Sequence, residues 1–254
     1  MLALVPLRDR DGLIEQVFAP SIQSLWPQFA MHDPTAELYF AEPHFTACLD
    51  TAFAVVEPER PDVAVGRAFA VPFAWDGVKG REALPDTGWD GVIRWGAEDR
   101  ALGRSPDALS ALEITLLPSH RGRGGSAVVL DAMRRRAAAL GLRHMVAPVR
   151  PTGKEAEPLT PMQDYAARTR PDGLPADPWL RVHVRAGGRI EKVAPLSMIM
   201  PGRLADWRAW TGLPFDRSGP VIVPRALSPV HCSVEHDHAV YVEANVWVRH
   251  LVPV

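Results

Sequence analysis

The chain has 254 residues, 47% of them hydrophobic and 23% charged, with a formal net charge of −2; that is enough apolar content for a substantial core, and too little charge for a global field that would draw nucleic acid or an anionic membrane. Positive charge is almost all arginine, with lysine only at Lys79, Lys154 and Lys192, so any polyanion site has to be local. Cys48 and Cys232 stand far apart in no metal-like spacing, which suits free thiols in a reducing compartment. The opening MLALVPLRDRDGLIEQ lacks the charged start and long apolar core of a signal peptide, and no stretch is apolar enough to span a bilayer. This reads as a cytoplasmic protein, and the weight of Arg, Ala, Gly and Pro resembles that of bacteria with GC-rich genomes.

In chain order, DTAFAVVE (Asp50 to Glu57) and VAVGRAFAVPFAW (Val63 to Trp75) are rich in Val, Phe and Ala and flank the turn-forming PERPD, which predicts an antiparallel hairpin. Val92, Trp95 and Leu102 fall at helical spacing within Trp89 to Arg104. In ALSALEITLLP the alternation puts Leu112, Ile114 and Leu116 on one face of a strand and Glu113 and Thr115 on the other, before Pro118 stops it. A loop rich in Gly and Arg follows, then a helix from about Ser126 to Leu140 closed by Gly141, then a strand over Leu142 to Arg150. Strand, glycine loop, helix and strand make a βαβ unit. A proline-rich excursion carries one short helix at Pro161 to Arg168. Beyond it come a helix ending at Gly187-Gly188, a strand through Val193, a helix around GRLADWRAWTG, and strands at PVIVP, SPVHCSV and AVYVEANVWVRHL.

Consecutive glycines between a strand and a helix let backbone N–H groups converge at the positive end of the helix dipole, a nest suited to phosphate. The loop lacks both the Gly-Lys-Ser/Thr of a nucleotide P-loop and the spacing of the Rossmann fingerprint. LPSHRGRGGS resembles the acyl-CoA signature of the GNAT superfamily of N-acetyltransferases, Arg/Gln-x-x-Gly-x-Gly/Ala, with Arg121, Gly124 and Ser126 in the defining places. Ser126 departs from the usual Gly or Ala, and Gly125 from the usual apolar residue. The resemblance assigns the phosphate cradle to Leu116, Arg121, Gly122, Arg123, Gly124, Gly125 and Ser126. RVHVRAGGRI is similar to the family's Leu-Tyr-x-x-x-Gly-Phe, with His183 in the place of the tyrosine that protonates the departing thiolate. TPMQDYAARTRPDGLPADPWLRVH and YVEANVWVRH look like segments of a branch of bacterial GNAT-like proteins. The implied fold is α/β: a strongly twisted mixed sheet with helices on both faces, split between strands 4 and 5 so that the CoA arm enters the gap. Residues 1–254 then form one acyltransferase domain, with a core at about 45–195 and an extension over 196–254.

The implied activity is transfer of an acetyl or other acyl group from acyl-CoA to the amine of a small molecule, by direct attack in a ternary complex. Such a reaction needs an uncharged amine, a stabilised oxyanion and a protonated thiol. Glu113 is the candidate base, His183 the candidate acid, and Tyr165, with Asp164 beside it, a further candidate for acid or acceptor-binding work. A backbone N–H near Leu116 could hold the carbonyl oxygen. A covalent route would need an activated cysteine, and neither Cys48 nor Cys232 is marked as one. Two alternatives keep the fold: an aminoacyl-tRNA or acyl-carrier-protein donor, with Arg134 to Arg136 contributing a basic surface, or a CoA-binding protein without catalysis. His231, Cys232, His236 and His238 match no usual zinc spacing, and two alternating strands joined by a turn account for them without a metal. Trp26, Trp75, Trp89, Trp95, Phe29 and Tyr39 are open to core packing or to an acceptor pocket. Monomer and homodimer are both open.

Overall fold

The computed structural model describes residues 2–8 and 10–252. Among them run the strands β1 (Ala3–Pro6), β2 (Ala52–Glu57), β3 (Arg60–Phe73), β4 (Ala108–Leu116), β5 (His144–Val149), β6 (Arg189–Arg203), β7 (Gly219–Val221), β8 (Val230–Ser233) and β9 (His238–Leu251). They form one sheet in the order β1-β2-β3-β4-β5-β9-β8-β7, with β6 also paired to β9. Neighbours are antiparallel except β4 and β5. The helices are α1 (Asp11–Val17), α2 (Pro20–Gln23), α3 (Pro34–Phe40), α4 (His44–Ala47), α5 (Gly88–Ala101), α6 (Gly125–Ala139), α7 (Met162–Ala166), α8 (Pro178–Arg185) and α9 (Leu204–Thr211).

The two-residue period of the strands feeds two cores. Ala52, Ala54 and Val56 of β2 face one cluster with Phe69, Val71, Phe73 and the buried residues of α1, α3, α5 and α9. Phe53 and Val55 face the other, with Val129, Leu130, Met133 and Ala137 of α6 and Leu180 of α8. Helices therefore cover both faces of a mixed sheet, as the α/β expectation has it. The hairpin, the βαβ unit and α5 to α9 lie where alternation and helical spacing predict them. The first fifty residues carry no long period, and among the described ones lie β1, four α-helices of 7, 4, 7 and 4 residues and a 3-10 helix at Gln28–His32.

The expected division into a core ending near 195 and an extension from 196 falls within β6. β6 runs through that boundary, and β9 lies inside the sheet, antiparallel to β5 along one edge and to β6 along the other. A segment with partners on both edges is part of the architecture rather than an appendage. Ser197 reinforces this: its Oγ accepts from Trp89 N at 2.9 Å and donates to Asn245 Oδ1 at 2.6 Å, joining α5, β6 and β9.

The parallel ladder of β4 and β5 is short. It runs only from Ala108 with His144 to Ser110 with Val146, after which the strands part. Pro148, with no N–H to give, falls in the part of β5 that has left β4.

Between α3 and α5 two carboxyls, Asp33 (0% exposed) and Asp90 (1%), are buried beside each other, with Asp33 Oδ2 and Asp90 Oδ1 left without a hydrogen-bond partner among the described residues. Asp33 also caps α3, accepting from Thr35 N at 2.7 Å. Burial pushes both carboxyls up, Asp90 further because Asp33 faces it. The folded pair keeps protons that unfolded aspartates release near pH ~4, so stability falls as pH rises from there toward about 8. Asp90→Asn should flatten that fall, as read by Tm at successive pH values; an unchanged slope would show that the proton is held elsewhere.

Candidate active site

Where the strands part, a cleft of about 850 Å³ opens, walled by Ala111 to Leu116 on one side and Ala147 to Arg150 on the other. The glycine loop closes one end. Gly122 and Gly124 sit at φ +74° and +76°, a left-handed backbone that glycine adopts without strain, and Gly124 caps α6 with no side-chain acceptor. From Gly122 to Ser126 no amide donates to a protein acceptor among the described residues, and Gly122, Gly124, Gly125 and Ser126 line the cleft, so unpaired N–H groups at a helix N-terminus border it, the arrangement that binds phosphate. Gly125, one of the two departures from the motif, has a packing cause: a Cβ there would lie 2.9 Å from Leu2 Cδ1, 3.1 Å from Leu116 Cδ1 and 3.2 Å from His120 O. Arg121 lines the cleft and donates from Nε to Leu116 O at 2.8 Å. Arg123 is exposed and outside the cleft lining.

Backbone direction along β4 follows from one bond. Leu117 N donates to Val65 O at 2.9 Å, toward β3; by strand alternation the amides of Leu116 and Ile114 point the other way, into the gap. They are the donors available to a carbonyl oxygen held between the strands.

Glu113 lines the cleft, half-buried and fixed. Its Oε1 accepts from Arg67 Nε at 2.6 Å, Trp26 Nε1 at 2.9 Å and Thr115 Oγ1 at 2.6 Å, which leaves Oε2 as the oxygen free for a substrate. Arg67, 3% exposed, also donates to Val17 O at 3.2 Å and lies over Phe69.

His183, on α8, also lines the cleft, but as a buried imidazole (2% exposed) whose Nδ1 lies 2.9 Å from His250 Nε2. Burial, with His250 beside it, pushes its pKa down to about 3; that of His250 is pushed down to about 4 by burial and the Arg134 guanidinium. The expected imidazolium donor is thus corrected: at neutral pH His183 is uncharged and offers a hydrogen bond, not a ready proton. Its Nε2 is the ring nitrogen left for the cleft, whereas His250 Nδ1 is buried without a partner.

Tyr165 is corrected as well. It does not line the cleft; its hydroxyl donates to Asp177 Oδ2 at 3.0 Å, and burial and that carboxylate push its ionisation up. Asp177 accepts in addition from Gly153 N at 2.8 Å, Trp179 N at 2.8 Å and Leu180 N at 3.0 Å. Tyr165 therefore acts at a distance, steadying the cap of the helix that carries Trp179 and His183. Asp164 likewise lies outside the lining.

Of the candidate aromatics, Trp26 and Trp89 line the cleft, Trp89 donating to Leu112 O at 3.1 Å, while Trp75, Trp95, Phe29 and Tyr39 pack in or against the core. Sequence reading missed Arg67, Arg150, Glu155, Trp179, Arg225 and Asn245. Only Trp179 carried a signal, an Asp-Pro-Trp helix start placing it one turn before His183. Arg134, Arg135 and Arg136 are engaged with Leu251 O, Asp131 and Asp50, which uses up much of the basic stripe expected to meet a polyanion. Both cysteines are buried, their thiols pushed up by burial, and neither lines the cleft. On β8, Cys232 is buried beside exposed His231, as alternation requires.

No protein-family model matches the chain. It is similar to the arginine N-acetyltransferase avaD of Aspergillus versicolor, 33% identical over 269 residues that cover 95% of this chain and 91% of that protein. The chain belongs to the GNAT superfamily of N-acetyltransferases. Two solved structures share the fold: the loading GNATL domain of CurA from Lyngbya majuscula, at 16% identity and TM-score 0.52 over 99% of this chain and 97% of that one, and the GphF GNAT-like decarboxylase in complex with isobutyryl-CoA, at 16% and 0.51 over the whole of both. As a GNAT enzyme it uses acyl-CoA as co-substrate and transfers its acyl group to an amine, and the loop and the parted strands fit that role. Among the described residues no helix is long and apolar enough to cross a membrane.

Two substitutions separate positioning from chemistry in this GNAT site. Tyr165→Phe removes one of four donors to Asp177 and should cost about 1 kcal/mol of stability while kcat changes less than roughly tenfold; a loss of about 10³ would restore Tyr165 as an acid. The pH profile of kcat should show no inflection near pH ~6.5 from His183, since its protonation waits until about 3; an inflection abolished by His183→Phe would contradict the buried neutral imidazole.

Proposed function

We propose that the enzyme carries an acetyl group from acetyl-CoA to an amine of a small cationic amino acid, of which arginine is the leading example, by direct attack in a ternary complex. The observation that carries this reading is Glu113, a fixed carboxylate on the strand that also presents the Ile114 and Leu116 amides to the gap. Support for a cationic acceptor comes from the arginine-specific name of the relative and from two carboxylates, Glu113 and Glu155, in the cleft lining.

In the step itself the amine nitrogen bonds to the acyl carbon as the C–S bond breaks. Glu113 Oε2 takes the proton that the ammonium must lose, directly or through water. Amides of Ile114 and Leu116 meet the negative charge developing on the carbonyl oxygen. The second proton, shed by the nitrogen as the amide forms, goes to the departing thiolate, whose sulfur the N–H of neutral His183 hydrogen-bonds, and Arg121 with the loop amides holds the phosphates. The buried position of both cysteines supports direct attack over a covalent intermediate.

The same reading takes residues 1–254 as one catalytic unit, supported by a sheet that runs from Ala3 to Leu251. A cytoplasmic setting in a bacterium is supported by the two unpaired thiols and the arginine-rich composition. A monomer or homodimer fits equally.

The test is calorimetry with acetyl-CoA followed by an acetylation assay on L-arginine. Saturable binding weakened about tenfold or more by Arg121→Ala, the loss of one charge-assisted contact, is expected. Glu113→Gln should lower kcat by about 10²-fold with acetyl-CoA affinity retained. Absence of acetyl-CoA binding would overturn the donor, and undiminished turnover in Glu113→Gln would overturn the base.

A further inference from the structure

The acceptor end of the cleft holds a cation that the transfer chemistry does not use. Arg150 follows directly on β5 and lines the cleft. Two of its three guanidinium nitrogens are engaged: Nε donates to Glu243 Oε2 at 3.0 Å and Nη2 to Arg225 O at 2.6 Å. Nη1 has no protein acceptor among the described residues and is not a buried orphan, so it is the nitrogen left free on a side chain that lines the cleft. Glu243, 2% exposed, is saturated, since Tyr241 Oη donates to it at 2.8 Å and Asn245 Nδ2 at 3.0 Å. The guanidinium plane is therefore locked by a partner that cannot swing away.

The second anchor is unusual. Arg225 has φ +69°, a left-handed backbone that costs a side-chain-bearing residue roughly 1 kcal/mol or more. The conformation aims its carbonyl at Arg150, and its guanidinium donates to Leu25 O beside Trp26. These two hydrogen bonds tie Arg150 to the Leu25–Trp26 wall through Arg225. Glu155, an exposed carboxylate in the same lining, has no salt-bridge partner among the described residues.

Resting on the acceptor reading above, we infer that Arg150 is the specificity-determining residue of the acceptor pocket: its free Nη1 pairs with a carboxylate of the acceptor, while Glu155 meets the acceptor's positive charge. The acceptor class is then an amino acid bearing a cationic side chain, and the decarboxylated amine of the same shape is rejected. A rigid, pre-oriented guanidinium suits this task, because a fixed fork recognises a carboxylate by direction as well as charge.

The experiment compares kcat/KM for L-arginine and for agmatine, which lacks only the carboxylate, in wild type, Arg150→Gln and Arg150→Lys, with Tm and the acetyl-CoA dissociation constant as controls. Wild type should favour L-arginine by about 10²-fold or more. That ratio should collapse toward 1 in Arg150→Gln. It should fall partway in Arg150→Lys, which keeps the charge beside Glu243 but cannot reach three acceptors at once. A wild type that does not discriminate, or a ratio that survives both substitutions in folded protein, overturns the inference. If acetyl-CoA binds and neither amine is acetylated, the acceptor reading fails by itself. Calorimetry of L-arginine and agmatine on the CoA complex then decides the carboxylate site: L-arginine-selective binding lost in Arg150→Gln upholds it, and equal binding of the two overturns it.

Discussion

Everything in the site depends on the early parting of β4 from β5. Beyond Ser110 and Val146 the facing edges have no ladder, and an unpaired backbone group shut away from water costs about 1–3 kcal/mol. The gap persists because each strand is held along its other edge, β4 by β3 from Gly66 to Phe73 and β5 by β9 from Val246 to Leu251. A pair so supported cannot zip shut without breaking longer ladders. What remains is a slot lined by directed N–H and C=O groups that a substrate can satisfy, ready before the substrate arrives.

Apart from the free oxygen of Glu113, the charged groups around the slot work as fixed geometry rather than as titrating reserves. Arg67 with Glu113 and Arg150 with Glu243 are ion pairs in which at least one member is nearly dry, with 3% and 2% of the Arg67 and Glu243 side chains exposed. Removing charges from water is costly, and such pairs rarely add much net stability. Their value here is positional. Each carboxylate also takes a hydrogen bond from an aromatic side chain, Trp26 for Glu113 and Tyr241 for Glu243, so each is held by at least three donors. His183 shows the converse: burial against His250 keeps it neutral, and it contributes direction without charge.

Legibility in the sequence followed the range of the interaction. Alternation in ALSALEITLLP and the glycines after it marked β4, the loop and α6, because strand period, helix dipole and left-handed turns are local properties. The hairpin and the helix before Gly187 were legible for the same reason. Four helices of four to seven residues before Cys48 were not, since so short a helix has less than two turns in which to display a period. The acceptor end was also hidden. Trp26, Arg150, Glu155 and Arg225 converge only through pairing of β5 with β9 and through loops that follow no motif, and the central place of β9 is a matter of topology. Tyr165 was misread because a tyrosine that caps a cap and a tyrosine that donates a proton look alike until the cleft is drawn.

Asp177 shows how much of the chemistry lies outside the cleft. One carboxylate satisfies the first amides of α8, the Gly153 amide and the Tyr165 hydroxyl, so the proline-rich excursion and the helix are tied through a single group. Gly153 has no room for a Cβ, which would lie 2.5 Å from Tyr165 Oη; the close approach of that loop is what lets the carboxylate collect all four donors. Trp179 and His183 then ride on a helix whose start is pinned rather than frayed. Since displacement of a reacting group by about 1 Å can cost a hundredfold in rate, the long loop that brings Glu155 to the cleft lining also holds the Trp179 and His183 wall in register with Glu113 on the far strand.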